Sequence, residues 1–279
     1  MNVKQRRSSL GTVLSYFYLI FLTLICVIPF YLMLVNGTRA SVAINQGVSF
    51  IPGTYLFQNF MNLITKVNLF QGFINTVIIS VGTTALSLYV SALTAWGFAI
   101  YEFKFKKILW ALVLVVIMIP NTLGIIGYYE LMLNLHLIDN FLALILPAGA
   151  TSVTVFFLHQ YIKGGIPRDF YEAAQIDGAK ELYTFHKIAL PLMIPALATM
   201  GIFAFVGSWN NFLAPLIILY SPDHLTLPLL ISQLNSTAYK TDFGVVYLGI
   251  GLTVLPLLLI FALFSRYILN GLTMGGVKE

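Results

Sequence analysis

The chain has 279 residues, of which 59% are hydrophobic and only 9% charged, where a soluble domain carries about 25% charge. A soluble fold of this size has too little interior to hide so much apolar surface, so the composition excludes an ordinary soluble enzyme and a disordered chain. The single cysteine, Cys26, excludes a disulfide framework and a cysteine-based metal site, and the net charge of +5 points to nucleic acid only until the charges are located.

A bilayer core of about 30 Å needs about 20 apolar helical residues. Six stretches meet this: 13–35, 73–100, 108–127, 141–161, 188–219 and 243–265. None of the 25 charged residues falls inside them. A charge at a helix centre costs about 2.5–3.5 kcal/mol on insertion scales, so this spacing is what lipid selects. The expected fold class is an all-α polytopic membrane protein with six transmembrane helices, organised as one transmembrane domain over 1–279.

Residues 1–10 carry Lys4, Arg6 and Arg7 and lead into the first span. Its apolar run is too long for a signal-peptide core, and no small-x-small site follows it cleanly. We read it as an uncleaved helix; a cleaved leader is the alternative. Between the first two spans, 36–72 forms a long loop with Pro52 and Gly53. The second span holds Thr76, Ser80, Thr83, Thr84, Ser87, Ser91 and Thr94, spaced to share one helical face. That stripe reads either as hydroxyls lining a polar path or as a small-residue packing face, which membrane helices commonly use.

The loop at 162–187 is the most charged segment of the chain. Pro167 suits the first turn of a helix. Asp169 and Glu172 favour its positive end, and Ala173 and Ala174 are strong helix formers. Gly178 suits a left-handed stop after about three turns. A second helix is expected to start near Lys180 and enter the membrane through Leu190-Pro191. Phe170, Ala173, Ala174 and Asp177 fall on one strip, which either docks into a groove on another protein or lies on lipid. A basic surface helix favours anionic lipid, and this one is mixed in sign.

The fifth span is longer than a bilayer needs, so part of it must tilt, kink or leave the lipid. Trp209, Asn210 and Asn211 sit within it. Amides in lipid are costly unless paired, so they either hold a helix break together or face a water-filled path. Asparagine suits a polyol, and tryptophan offers a stacking face. His136, His159, His186 and His224 show no metal-ligand spacing and are expected at surface or interfacial positions.

With the N-terminus inside, 12 of the Lys and Arg residues lie inside and three, Arg39, Lys66 and Lys240, outside. By the positive-inside rule both termini are expected in the cytoplasm. The basic balance thus reflects topology, and no nucleic-acid partner is expected.

Glu172-Ala173-Ala174, then Gly178, then Ile188-x-Leu190-Pro191 resembles the EAA loop of bacterial ABC-importer permeases. Met118-Ile119-Pro120, Leu137-Ile138-Asp139-Asn140, Gly207-Ser208-Trp209-Asn210-Asn211-Phe212 and the tail Asn270–Lys278 agree with it. Together they are similar to carbohydrate-type permeases of the maltose-transporter small-subunit (MalG-like) class. The resemblance implies a type I importer permease (MetI-like) core in the bacterial inner membrane, with a cytoplasmic coupling helix. It implies that Glu172, Ala173, Ala174, Asp177, Gly178 and Ala179 meet an ATPase subunit, and that Gly275, Gly276 and Lys278 reach toward the ATPase interface. It makes Trp209, Asn210, Asn211, Thr76, Ser80 and Ser87 candidates for the translocation pathway.

The implied partners are a second homologous permease, a dimer of cytoplasmic ATPases, an extracytoplasmic solute-binding protein, membrane lipid and a carbohydrate. Glycerol phosphate or another polyol is the alternative cargo. No G-x-x-x-x-G-K-[ST] phosphate loop occurs, so ATP-Mg is expected on the partner subunits. This chain is expected to bind no cofactor or metal and to catalyse nothing itself. An ion-coupled secondary transporter usually needs an intramembrane carboxylate or a broken-helix ion site; the six spans contain no Asp, Glu, Lys or Arg. A membrane hydrolase needs a nucleophile and base in one layer, and no such pairing can be placed.

Overall fold

The computed structural model describes residues 9–234 and 241–273. Among them every regular element is helical. The helices are α1 (Ser9–Gly37), α2 (Ser41–Asn45), α3 (Leu56–Lys66), α4 (Leu69–Ile100), α5 (Lys106–Met118), α6 (Ile125–Asn134), α7 (Phe141–Ile145), α8 (Ser152–Gly165), α9 (Asp169–Ile176), α10 (Glu181–Thr184), α11 (Leu190–Leu192), α12 (Ile194–Trp209), α13 (Leu213–Ile218), α14 (Leu227–Gln233) and α15 (Phe243–Thr273). A π turn, Phe185–Ala189, joins α10 to α11. The tail candidates Gly275, Gly276 and Lys278, together with Lys240, lie outside the described residues.

Four runs are long and apolar enough to cross a bilayer: Gly11–Gly37, Leu69–Ile100, Phe141–Gly165 and Phe243–Leu263. Two more are bent pairs, Lys106–Met118 with Thr122–Asn134 at 89° and Glu181–Leu192 with Ile194–Trp209 at 77°. Six spans result if each bent pair is one, in agreement with the all-α class read from the sequence.

The third stretch, 108–127, differs from the uninterrupted span expected of it. Pro120 has no N–H for a helical bond, and a residue before proline is driven out of the helical region. Ile119 is accordingly extended, at φ −84 and ψ 122. The fifth stretch kinks, as its length required. Pro195 near the start of α12 breaks the ladder at Met193, and the helix stops at Trp209 before resuming as α13.

The described residues fall into two compact units, 9–68 with 231–234 and 241–255, and 69–230 with 256–273. In the first, α1 leaves apolar side chains exposed from Val13 to Leu34, as a lipid-facing helix does. Arg39 donates to Ala43 O at 2.7 Å and to Asn36 Oδ1 at 3.1 Å, so its charge serves local loop folding. Asn59 Nδ2 ties Gly37 O (2.8 Å) to Arg39 O (3.0 Å). Gly244 packs onto that knot: a Cβ there would sit 2.4 Å from Arg39 O.

In the second unit α4 is the axis, packed against α8 and α12. Ser80, Ser91, Ala92 and Ala95 are fully enclosed along it, because small side chains let helices approach closely. The core at the end of α4 gathers Trp96, Ile100, Leu158, Ile162, Tyr171, Phe185 and Met193. Tyr171 belongs to α9, so the 162–187 loop is built into the core.

Candidate functional site

Two features of this unit concern function: α9 with its supports, and a hydroxyl-lined cavity. α9 is eight residues, two turns where about three were expected. Asp169 and Glu172 occupy its first turn. Gly178 has φ +73, its N–H donates to Gln175 O at 3.0 Å, and Ala179 N–H donates to Ala174 O at 2.9 Å. These two bonds form a Schellman stop, which favours glycine at the left-handed position.

The predicted strip is split. Phe170, Ala173 and Asp177 are exposed, but Ala174 is buried beside Tyr171, three residues back on the same face. The large Tyr171 ring gains most from burial, so it sets the inward stripe and takes Ala174 with it. The outward face therefore consists of Phe170, Glu172, Ala173, Ile176 and Asp177. Ile176 is 86% exposed. Glu172 pairs with Arg168 at 3.5 Å on the open surface.

Underneath, Tyr171 packs edge-on against Trp96 (6.0 Å) and Tyr101 (5.9 Å). Tyr171 Oη donates to Glu181 Oε1 at 3.2 Å and accepts from Gln175 Nε2 at 2.6 Å. Tyr101 Oη donates to Glu181 Oε2. Burial, reinforced by the Glu181 carboxylate, pushes both phenols above their ordinary range, so both remain donors. This network joins the ends of α4, α9 and α10. Sequence reading missed it because its members are far apart in the chain; a tyrosine three residues before the inward alanine is the signal that marks it.

The cavity has a volume of about 430 Å³, within the usual range for small-molecule sites. Thr76, Thr83 and Ser87 from α4 line it with Thr151, Thr154, Ser208, Asn211 and Thr226. Ser87 Oγ donates to Thr151 Oγ1 at 3.0 Å. Thr76 Oγ1 donates to Gly72 O and accepts from Leu227 N–H. The hydroxyls of Thr83 and Thr226 have no partner among the described residues.

Of the predicted pathway residues, Thr76, Ser87 and Asn211 meet here, and three do not. Ser80 is fully enclosed in the packing face. Trp209 is 1% exposed, held between Phe73 and Phe205. Asn210 caps the end of α12, donating to Val206 O at 3.0 Å. Asn211 Oδ1 accepts from Ala214 N–H at the start of α13, at 3.4 Å. The asparagines thus hold the break between α12 and α13, and Asn211 also faces the cavity.

Beside it, Asn75 Nδ2 donates to Asp223 O (2.8 Å) and Leu225 O (2.9 Å). Asp139, at φ +60, accepts from the Tyr220 and Ser221 N–H groups at 3.1 Å and from Ser221 Oγ. His224 Nδ1 lies 3.1 Å from Asp139 Oδ2, close enough to pair when protonated but poorly aligned for a hydrogen bond. Burial alone would raise the Asp139 pKa, but the hydrogen bonds from Ser221 and Tyr220 prevail and bring it to about 2. Asn75 was detectable as an amide inside an apolar span. Contrary to expectation, His159 is buried, 3.9 Å from Trp110 between ring centroids. Among the described residues no three His, Cys, Asp or Glu side chains converge as a metal site.

A helical, membrane-spanning chain with a capped interspan helix and a hydroxyl-lined cavity defines a transport permease. The chain belongs to the family of binding-protein-dependent transport system inner membrane components, which matches residues 5–273. It is 37% identical to the arabinooligosaccharides transport system permease protein AraQ of Halalkalibacterium halodurans, over 92% of this chain and 93% of that one. It is 33% identical to the lactose transport system permease protein LacG of Rhizobium radiobacter, over 98% of each chain. Its fold matches a chain of a bacterial ABC transporter involved in import of the acidic polysaccharide alginate, with TM-score 0.81 at 18% identity, over 96% of this chain and 99% of that one.

Proposed function

We propose that this chain is the permease subunit of an ATP-driven importer and forms half of the translocation path for a sugar or oligosaccharide delivered by an extracytoplasmic binding protein. Its partners are a second permease and a pair of ATPase subunits that carry ATP-Mg, and the chain itself performs no catalysis. Both termini and the 162–187 loop lie in the cytoplasm; the 12-to-3 distribution of basic residues supports this. Family membership and the cargoes of the oligosaccharide and lactose relatives support this reading.

The observation that carries it is the two-sidedness of α9. One face is held by Tyr171 and Ala174, and the other offers Phe170, Ala173 and Ile176 beside the Arg168–Glu172 pair. An apolar patch with a charged edge suits a protein groove, where the charges set register. The cavity hydroxyls, two of them unpaired, match the donors and acceptors of a carbohydrate.

Glu172→Lys, expressed with the full transporter, should insert normally yet lose most ATPase co-purification and substrate-stimulated uptake. Unchanged association and uptake would remove the coupling role. With Cys26 replaced, a cysteine at position 173 should react only with reagents that cross the membrane; labelling from outside intact cells would reverse the topology.

A further inference from the structure

A second cavity, of about 650 Å³, opens where the charged segments meet the apolar spans, between the start of α5 and the end of α8. One side is apolar, with Phe98, Ile108 and Trp110 in the wall. The other side is basic, with Lys106, Lys107 and Lys163. Lys106 is already engaged, by Glu102 Oε1 and by Tyr101 O, both at 2.8 Å. Glu102 also lines the cavity and is felt by Lys163 at longer range, but neither Lys107 nor Lys163 forms an ion pair within 4 Å among the described residues, so three lysines against one carboxylate leave the cavity an excess of positive charge.

His159 lines the same cavity. It is 4% exposed, and its Nδ1 is buried with no hydrogen-bond partner among the described residues. Helical spacing brings these groups together: Lys163 lies one turn beyond His159 on α8, and Trp110 one turn beyond Lys106 on α5. Below the cavity, α5 bares Leu109, Leu112, Val115 and Val116.

We infer that this cavity binds the phosphate of an anionic phospholipid headgroup. Lys107 and Lys163 pair with the phosphate, and an acyl chain runs down the apolar face of α5. A basic pocket between transmembrane helices, bordered by a tryptophan at the interface, is the chemistry such lipids require. The apolar wall, continuous with the exposed side of α5, selects a lipid over a free anion. The inference rests on the proposed topology only in assigning the site to the cytoplasmic leaflet.

The test uses the complete transporter in phosphatidylcholine nanodiscs into which phosphatidylglycerol is titrated, with bound lipid read by native mass spectrometry. Phosphatidylglycerol should be retained in preference to phosphatidylcholine. The double variant Lys107→Gln/Lys163→Gln should lower that retention roughly 30-fold, the loss expected for two interfacial lysines. Equal retention by wild type and double variant overturns the site. Excess inorganic phosphate should leave the lipid in place; displacement by phosphate overturns the lipid assignment in favour of a free-anion site. Should the double variant not assemble, tryptophan quenching in the wild type by brominated phosphatidylglycerol should exceed that by brominated phosphatidylcholine, and equal quenching overturns the proposal. A cysteine at position 104 that labels from outside intact cells would refute the topology alone, because nanodisc retention does not depend on it.

Discussion

Beneath α9 the polar side chains have fixed partners; around the 430 Å³ cavity two hydroxyls have none among the described residues. Tyr101, Tyr171, Gln175 and Glu181 bond one another across three helices. Thr83 and Thr226 stand in the cavity wall with buried hydroxyls that have no partner among the described residues. A saturated network resists deformation and passes displacement on, since each bond must break before its helix can move alone. An unsaturated wall offers its hydrogen bonds to whatever passes. One unit thus contains a tightly cross-linked part around α9 and a less tied part around the cavity.

The sharpest way to break the contrast is Tyr171→Ala. Removing a buried aromatic ring costs about 3 kcal/mol or more, so α9 should lose hydrogen-exchange protection. ATP-driven uptake in proteoliposomes should fall at least tenfold while the cavity residues keep their protection. Uptake at the wild-type level would show that α9 needs no anchor.

A middle-sized effect comes from Asp139, whose carboxylate clamps the Tyr220–Ser221 turn. Its folded pKa of about 2 lies below the ordinary 3.8, so its contribution is present above about pH 4 and is lost as pH falls toward 2. The shift corresponds to about 2 kcal/mol. Thermal melts in detergent should show this acid sensitivity in the wild type and a flatter profile in Asp139→Asn; identical profiles would remove Asp139 as a stabilising clamp.

The smallest expected effect sharpens the comparison. Thr83→Val removes a hydroxyl without a partner, so stability should change by less than about 1 kcal/mol. The substrate concentration for half-maximal uptake should nevertheless rise several-fold. A large melting shift with unchanged transport would place Thr83 among the packing residues.

Local features were the most legible in the sequence. Gly178 announced its left-handed stop because a helix end depends on a few neighbouring residues, and the six apolar stretches followed from composition alone. Pro120 carried its bend in plain sight, yet an apolar run of sufficient length reads as straight. Which side of α9 turns inward depended on Trp96 and Tyr101, distant in sequence, so Ala174 was assigned to the wrong face. Trp209 was misplaced for a related reason: a tryptophan in a span suits a stacking surface and an aromatic core equally, and only Phe73 and Phe205 decide between them. Asn211 was found because an amide in lipid demands an explanation.

The 77° bend at Met193 has a mechanical consequence. The segment from Glu181 to Leu192 spans about 18 Å and α12 about 24 Å at 1.5 Å per residue, so the two form a crank with its short arm fastened to α9 through Glu181. Turning that arm by about 10° sweeps the far end of α12 by about 4 Å if the crank is rigid. That end carries Asn210 and Asn211, so a push at the motor side would arrive as a sideways stroke at the cavity wall.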